Sequence, residues 1–90
     1  MQNSDKSSCE AIYKINGDLF EMLEFTVRDD FKALGLKIKD IDFIDGALII
    51  AIMRGKNIIF PTGNDEIREN DIMVVIDTCD KIRDINDILR

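Results

Sequence analysis

Residues 11–27, AIYKINGDLFEMLEFTV, carry hydrophobic residues on both sides of one turn signal. In the second half of this segment, Leu23, Phe25 and Val27 alternate with polar residues, which predicts a strand with one buried and one solvated face. The dipeptide Asn16-Gly17 is typical of tight hairpin turns, because both residues tolerate positive φ. The pattern therefore predicts two antiparallel strands joined at Asn16-Gly17.

The stretch from Gly46 to Phe60, GALIIAIMRGKNIIF, contains ten apolar residues in fifteen. In its first strand, residues 47–53, the side chains on both faces are apolar, and the same holds for most of the later strand at residues 71–77. Both strands are therefore expected to be buried on each face. Residues 54–57 form the predicted hairpin turn. Two alternatives stay open for the face that meets a partner: Leu48, Ile50 and Ile52, or Ala47, Ile49, Ala51 and Met53.

Two short segments carry helix signals. In residues 28–43, Asp29 or Asp30 can cap a turn that Gly35 ends. After the last strand, Thr78 is placed to cap a helix with an apolar stripe formed by Ile82, Ile85, Ile88 and Leu89. The predicted order is β-β-α-β-β-β-α, an α+β domain whose antiparallel sheet is covered by two short helices on one face.

The length of 90 residues predicts one domain, with a flexible N-terminal segment at residues 1–10 and a folded part at residues 11–90. A domain of this size buries only about 60–65% of the surface of its unfolded chain. Two short helices cannot cover both faces of the sheet, so a second copy of the chain is the simplest cover for the apolar hairpin. We therefore expect a homodimer, with these residues in its interface or in the core: Leu48, Ile49, Ile50, Ile52, Ile58 and Phe60.

Charge and composition then exclude several classes of function. The net charge of −6 opposes binding to nucleic acid, whose affinity for proteins depends on basic side chains. The chain has no histidine, and Cys9 and Cys79 form no CxxC pair, so no metal site is predicted. The polar start, MQNSDKSSCE, lacks the apolar segment of a signal peptide, and a cytoplasmic protein is expected.

Candidate chemistry is sparse. Residues 40–51 resemble a calcium loop only in Asp40 and Asp42, because the sixth position is Asp45 and the twelfth is Ala51. The glycine turns match no phosphate-binding loop. A carboxylate enzyme is the remaining catalytic alternative, but no nucleophile or base pairing stands out, so we predict no catalytic residues, no enzyme activity and no cofactor within these residues.

Three segments together resemble the RCK C-terminal (TrkA-C) domain: EMLEFTV, LKIKDIDF and GALIIAIMRGKNIIFPTGNDEIRENDIMVVI. The counterparts of the family pattern are Lys37 to Ile41, Gly46 to Gly55, Pro61 to Asn64, and Asn70-Asp71, with the first one residue shorter than the pattern. The match keeps the family's order and covers residues 19–77. The segment DKIRDINDILR is similar to the helix that closes such proteins.

The resemblance implies a non-catalytic, dimeric, ligand-sensing domain of a Trk-type potassium uptake system, on the cytoplasmic side of a membrane potassium transporter subunit. It implies a small-molecule site near the dimer interface, for which Phe43, Ile44, Leu48 and Arg54 are the candidates. Relatives that bind cyclic di-adenosine monophosphate carry an Arg and an Asn near this position, whereas residues 43–48 contain neither. The same module in another transporter or in a transcription factor, with a small nucleotide as ligand, is the alternative.

Overall fold

The fold is built on one sheet of five antiparallel strands. A computed structural model describes residues 9–15, 20–78 and 82–90. The strand order across the sheet is β1-β2-β5-β3-β4, so the last strand in sequence lies at the centre. The predicted antiparallel sheet is confirmed, with these strands: β1 (Cys9–Ile15), β2 (Phe20–Thr26), β3 (Ala47–Arg54), β4 (Asn57–Ile59) and β5 (Ile72–Asp77).

The first hairpin follows the alternation of the sequence. β1 and β2 pair in antiparallel fashion up to Ile15 opposite Phe20, while the predicted turn dipeptide Asn16-Gly17 lies outside the described residues. Along β2 the buried positions alternate with partly exposed ones. Leu23 and Phe25 lie opposite Val75 and Met73 of β5 in the ladder, and these side chains begin the core.

A β-bulge interrupts β3 and decides which of its side chains face the core. Ile49 pairs with Val75 and Ala51 pairs with Val74, so Ile50 is the extra residue of β3. Ala47, Ile49 and Ile52 consequently share the core face, whereas Leu48, Ala51 and Met53 turn to the other side. β3 follows neither of the two sets of alternating residues considered from the sequence. The bulge reverses which face the later residues of the strand point to.

The two predicted helices are not confirmed, and short 3-10 turns stand in their places. The first turn, Ile38–Asp40, has three residues. The backbone N–H groups of Ile38 and Lys39 donate to the carbonyl oxygens of Asp65 and Gly63 at 2.8 and 2.9 Å, so the neighbouring loop takes donors that a longer helix would use.

The second 3-10 turn, Ile85–Ile88, has four residues and begins after Asp84, whose carboxylate accepts from the Asn86 N–H. The Thr78 hydroxyl donates to the Gly46 carbonyl oxygen at 3.1 Å, and residues 79–81, where a helix capped by Thr78 would begin, lie outside the described residues. Ile82, Ile85 and Ile88 recur every three residues, which suits the three-residue repeat of a 3-10 helix better than an α-helix.

The hydrophobic core lies on one side of the sheet, between the strands and the irregular segments. Both 3-10 turns lie on this side, because the second contributes core residues and Ile38 of the first packs against them. The fully buried side chains include the following residues: Leu23, Phe25, Val27, Ile52, Ile67, Met73, Val75, Ile85 and Ile88.

Candidate functional site

The opposite side of the sheet is the candidate functional surface, which we call the open face. It follows from the register: Tyr13 lies opposite Met22, Met22 opposite Ile76, and Ile76 opposite Leu48. Further along the strands, Val74 lies between Glu24 and Ala51 in the ladder. The open face is formed by these residues: Tyr13, Met22, Glu24, Leu48, Ala51, Met53, Ile58, Ile72, Val74 and Ile76.

Large apolar side chains on the open face are exposed to solvent. Leu48 is 64% exposed, Ile58 is 62% exposed and Tyr13 is 50% exposed. Phe60, which follows β4, is also exposed. Since both 3-10 turns pack on the core side, this apolar surface has the character of an interaction surface rather than of a second core.

One end of the open face adjoins the loop of residues 42–45, which leads through Gly46 into Leu48. Gly46 has a φ of 88°, a conformation that a residue with a Cβ adopts with strain. The loop pairs with residues 88–90 through a backbone hydrogen bond from Ile44 N–H to the Ile88 oxygen at 2.9 Å. The guanidinium of Arg90 contacts both acidic side chains of the loop, Asp42 and Asp45.

At the other end of β3, Arg54 forms an ion pair with Asp71. Arg54 donates from Nε to Asp71 Oδ1 at 2.9 Å and from Nη2 to Asp71 Oδ2 at 2.8 Å. Asp71 is buried and also accepts from the Arg68 N–H at 2.9 Å. The hydrogen bond to Asp71 raises the pKa of Arg54 above its usual value, so the guanidinium keeps its charge.

The residue before Asp71 explains the shape of this corner. Asn70 has a φ of 75°, and among the residues that the structure describes it is the only non-glycine with positive φ. Asparagine and glycine tolerate this conformation better than other residues. Asn70-Asp71 therefore combines a sharp turn with the buried acceptor for Arg54. The sequence motif was noticed, but its partner across the fold was not.

Buried acidic groups lie at the edge of the core where β2 and β5 meet. Glu21 and Asp77 are opposite each other in the ladder, and both are buried. Lys14 Nζ lies 2.6 Å from Glu21 Oε2, which gives the buried carboxylate a cationic partner. Sequence reasoning missed this pair, although Glu21 has the same parity as Leu23 and Phe25, which puts it on the core face of β2.

The structure separates the four predicted ligand-binding residues into two groups. Phe43, Ile44 and Leu48 lie near the loop of residues 42–45, and the first two pack partly against the core. Arg54 lies six residues beyond Leu48 along β3, about 20 Å away at the usual rise of a strand, and is engaged by Asp71. The structure thus does not bring Arg54 into one site with the other three.

The residues predicted for the core or a dimer interface are likewise divided. Ile52 is fully buried and Ile49 packs against the core. Leu48, Ile58 and Phe60 are exposed, the first two on the open face.

Within residues 9–15, 20–78 and 82–90 there is no group of three or more side chains that could hold a metal ion. None of the helices in the described part of the chain is long and apolar enough to cross a membrane.

Comparison with known proteins identifies the family. The family model for the TrkA-C domain matches residues 22–90, which is most of the chain. This chain belongs to the TrkA-C domain family. The match includes most of β2, all of β3 to β5, the Arg54–Asp71 pair and the segment that carries Arg90, so the residues that shape both ends of the open face lie within the TrkA-C domain.

Curated relatives of this TrkA-C domain are named as potassium uptake proteins. The chain is 40% identical over 60 residues to Trk system potassium uptake protein TrkA homolog 2 of Methanosarcina mazei, an alignment that covers 67% of this chain and 13% of the relative. It is 31% identical over 67 residues to TrkA homolog 1 of the same organism, with 74% of this chain and 16% of the relative covered. The chain therefore spans only a small part of the length of these relatives.

Proposed function

We propose that this TrkA-C domain is a non-catalytic regulatory and dimerisation domain of a Trk-type potassium uptake system. The relatives named as potassium uptake proteins support this assignment. Because the matched region is a small part of each relative, the domain would act within a longer protein, on the cytoplasmic side of a membrane potassium transporter subunit. The role we assign to the domain is to respond to a signal and to change the arrangement of the attached parts.

The exposed apolar side of the sheet is the observation that carries the dimer proposal. Burying a large aliphatic side chain such as Leu48 or Ile58 contributes about 1.5–3 kcal/mol. In a two-fold symmetric dimer each such residue is buried twice, once on each copy. A second copy on the open face would thus remove Tyr13, Leu48 and Ile58 from water without any change in the core.

We place the small-molecule ligand at the end of the open face formed by Phe43, Ile44 and Leu48. Asp42 and Asp45 lie in the same loop, and their negative charge disfavours a polyanionic ligand there. Arg54 stays a separate candidate for an anion contact, through the exposed third of its side chain at the other end of β3. A ligand that prefers one dimer geometry would shift the equilibrium between geometries and so affect the transporter.

Sedimentation equilibrium of the 90-residue chain and two variants tests the dimer. We expect a dimer mass for the wild type and a monomer mass for Leu48→Asp, because the new charge would be buried in the interface. The matched control is Asn57→Asp, which adds the same charge at an exposed position of β4 and should leave the dimer intact. If the wild type is a monomer at every concentration, or if Leu48→Asp is a dimer, the open face is not the dimer interface.

Potassium uptake by cells that carry the same variants in the full-length protein tests the physiological role. We expect slower uptake at limiting external potassium with Leu48→Asp and normal uptake with Asn57→Asp. Unchanged uptake in a strain whose variant protein no longer dimerises would contradict the regulatory role while leaving the dimer itself established.

A further inference from the structure

Residues 82–90, which we call the strap, cross the core side of the domain and are anchored in their middle. Ile82, Ile85 and Ile88 are buried in the core. The side chain of Asn86 accepts from the Lys32 N–H at 2.8 Å and donates to the Asp30 carbonyl oxygen at 3.0 Å. The strap is therefore fixed by apolar packing and by one amide, independently of its charged residues.

Beyond this anchor the strap pairs with the loop of residues 42–45 in the manner of a short strand. Ile44 N–H donates to the Ile88 carbonyl oxygen, and Arg90 N–H donates to the Asp42 carbonyl oxygen, both at 2.9 Å. Phe43 and Leu89 form the antiparallel bridge between these two bonds. The loop thus takes its conformation from a segment that lies far away in sequence.

The side chain of Arg90 spans the loop from one acidic residue to the other. Its Nε lies 3.2 Å from Asp42 Oδ1, and its Nη2 lies 3.1 Å from Asp45 Oδ1 and 3.0 Å from the Phe43 carbonyl oxygen. All three charged side chains are in water: Arg90 is 53% exposed, Asp42 76% and Asp45 96%. We call these contacts the clasp.

We propose that the clasp is a latch controlled by ionic strength, which holds the loop of residues 42–45 against the strap at low salt and loosens it at high salt. The Debye length falls from about 30 Å at 0.01 M salt to about 10 Å at 0.1 M and about 3 Å at 1 M, so attraction between exposed charges weakens across this range. The Arg54–Asp71 pair responds less, because Asp71 is buried and screened less by salt.

Loosening the clasp changes the edge of the open face. The loop continues through Gly46 into Leu48, the first large exposed side chain of β3. A looser loop would therefore make the start of the open face more mobile, while Ile88 keeps the strap in the core. This property depends on the geometry of the clasp alone and does not rest on the proposed role in potassium uptake.

Amide hydrogen exchange of the 15N-labelled chain tests the latch through the Ile44 N–H, which is bonded to the strap. The reference is the Ile38 N–H, which is bonded to the Asp65 carbonyl oxygen in a loop that the clasp does not touch. Between low and high KCl we expect the protection of Ile44 relative to Ile38 to fall by about two- to fivefold, the range expected for loss of exposed ion pairs.

Variants and a change of salt separate the latch from other effects. Arg90→Gln should show the low relative protection of Ile44 at every salt concentration, and Asp42→Asn combined with Asp45→Asn should reproduce this result. Lys56→Gln removes an exposed cation from the β3–β4 turn and should keep the wild-type response. Choline chloride should act like KCl, because screening does not depend on the identity of the cation.

Three outcomes would overturn the proposal. One is a relative protection of Ile44 that does not change with salt in the wild type. Another is a wild-type salt response in both Arg90→Gln and the Asp42/Asp45 double variant. The third is a response to KCl but not to choline chloride, which would indicate a bound potassium ion in place of screening.

Discussion

Ile49 and Ile52 lie on the same face of β3 although they are three residues apart. In a regular strand such residues point to opposite faces, and the bulge at Ile50 removes this conflict. The bulge lets β3 place Ile49 and Ile52 against the core and still present Leu48 and Met53 on the open face. An apolar run that is ambiguous in sequence is thus divided between two surfaces with different roles.

Truncation of β3 side chains tests this division. Ile52→Ala should lower the free energy of unfolding by about 2–5 kcal/mol, because it leaves a cavity in the core. Leu48→Ala should change it by less than about 0.5 kcal/mol in the monomer, since the side chain is exposed. Urea unfolding at protein concentrations below dimer formation measures both. Equal losses in the two variants would mean that the faces of β3 are assigned incorrectly.

The pairing of Arg54 with Asp71 predicts a large effect from a substitution near the end of a strand. Arg54→Ala leaves the Asp71 carboxylate buried without its cation, and we expect the free energy of unfolding to fall by about 3 kcal/mol. Arg54→Lys should recover only part of this loss, because an ammonium cannot form both hydrogen bonds. Thermal and urea unfolding provide the comparison.

Lys56→Ala is the matched control for Arg54, since Lys56 is exposed in the adjacent turn and should change stability by less than about 0.5 kcal/mol. The raised pKa of Arg54 predicts that its contribution is fully present below the pKa of arginine in the unfolded chain and is lost only at higher, strongly alkaline pH. A loss for Arg54→Ala no larger than that for Lys56→Ala would show that the pair contributes little.

Gly55 tests the turn between β3 and β4. Its φ is 62°, and a Cβ added there would meet no atom within 4 Å, so any cost of Gly55→Ala comes from the backbone alone. We expect a loss of about 1 kcal/mol for Gly55→Ala and a smaller loss for Gly55→Asn, because asparagine tolerates positive φ better. Urea unfolding of the two variants checks the order, and a more stable alanine variant would contradict the turn conformation.

Asn86 tests the anchor of the strap. Asn86→Asp keeps an oxygen that can accept from the Lys32 N–H but replaces the amide donor to the Asp30 carbonyl oxygen. We expect a loss of about 1–2 kcal/mol in the free energy of unfolding, the usual cost of a partner removed from a hydrogen bond. Asn57→Asp, the same substitution at an exposed position of β4, is the matched comparison. No difference between the two would argue against the anchor.

The sequence predicted structure correctly where hydrophobic and polar residues alternated regularly. It did not predict the features that depend on contacts between distant segments. The alternation of Leu23, Phe25 and Val27 predicted β2, because local periodicity reports burial directly. The bulge at Ile50 could not be foreseen, since it is set by the register with β5.

The contacts that shape the candidate site were hidden for the same reason. The clasp of Arg90 joins residues from separate parts of the chain. Asn70-Asp71 was visible as a motif, yet its partner Arg54 was predicted as a ligand-binding residue and not as the cation of this pair. The 3-10 turn at Ile38–Asp40 lies in the segment predicted as the first short helix, and its hydrogen bonds to residues 63–65 could not be predicted from local sequence.

The central position of β5 has a consequence for how the domain comes into being. β2 and β3 are not neighbours in the sheet, and each pairs with β5, which is the last strand to be synthesised. A nascent chain that has not yet reached residue 77 can form its hairpins but not the sheet, and long-range pairing of this kind is slow. Through that interval the apolar residues of β3 lack the partner strand and the core that bury them in the finished sheet, so an incomplete chain exposes an aggregation-prone stretch.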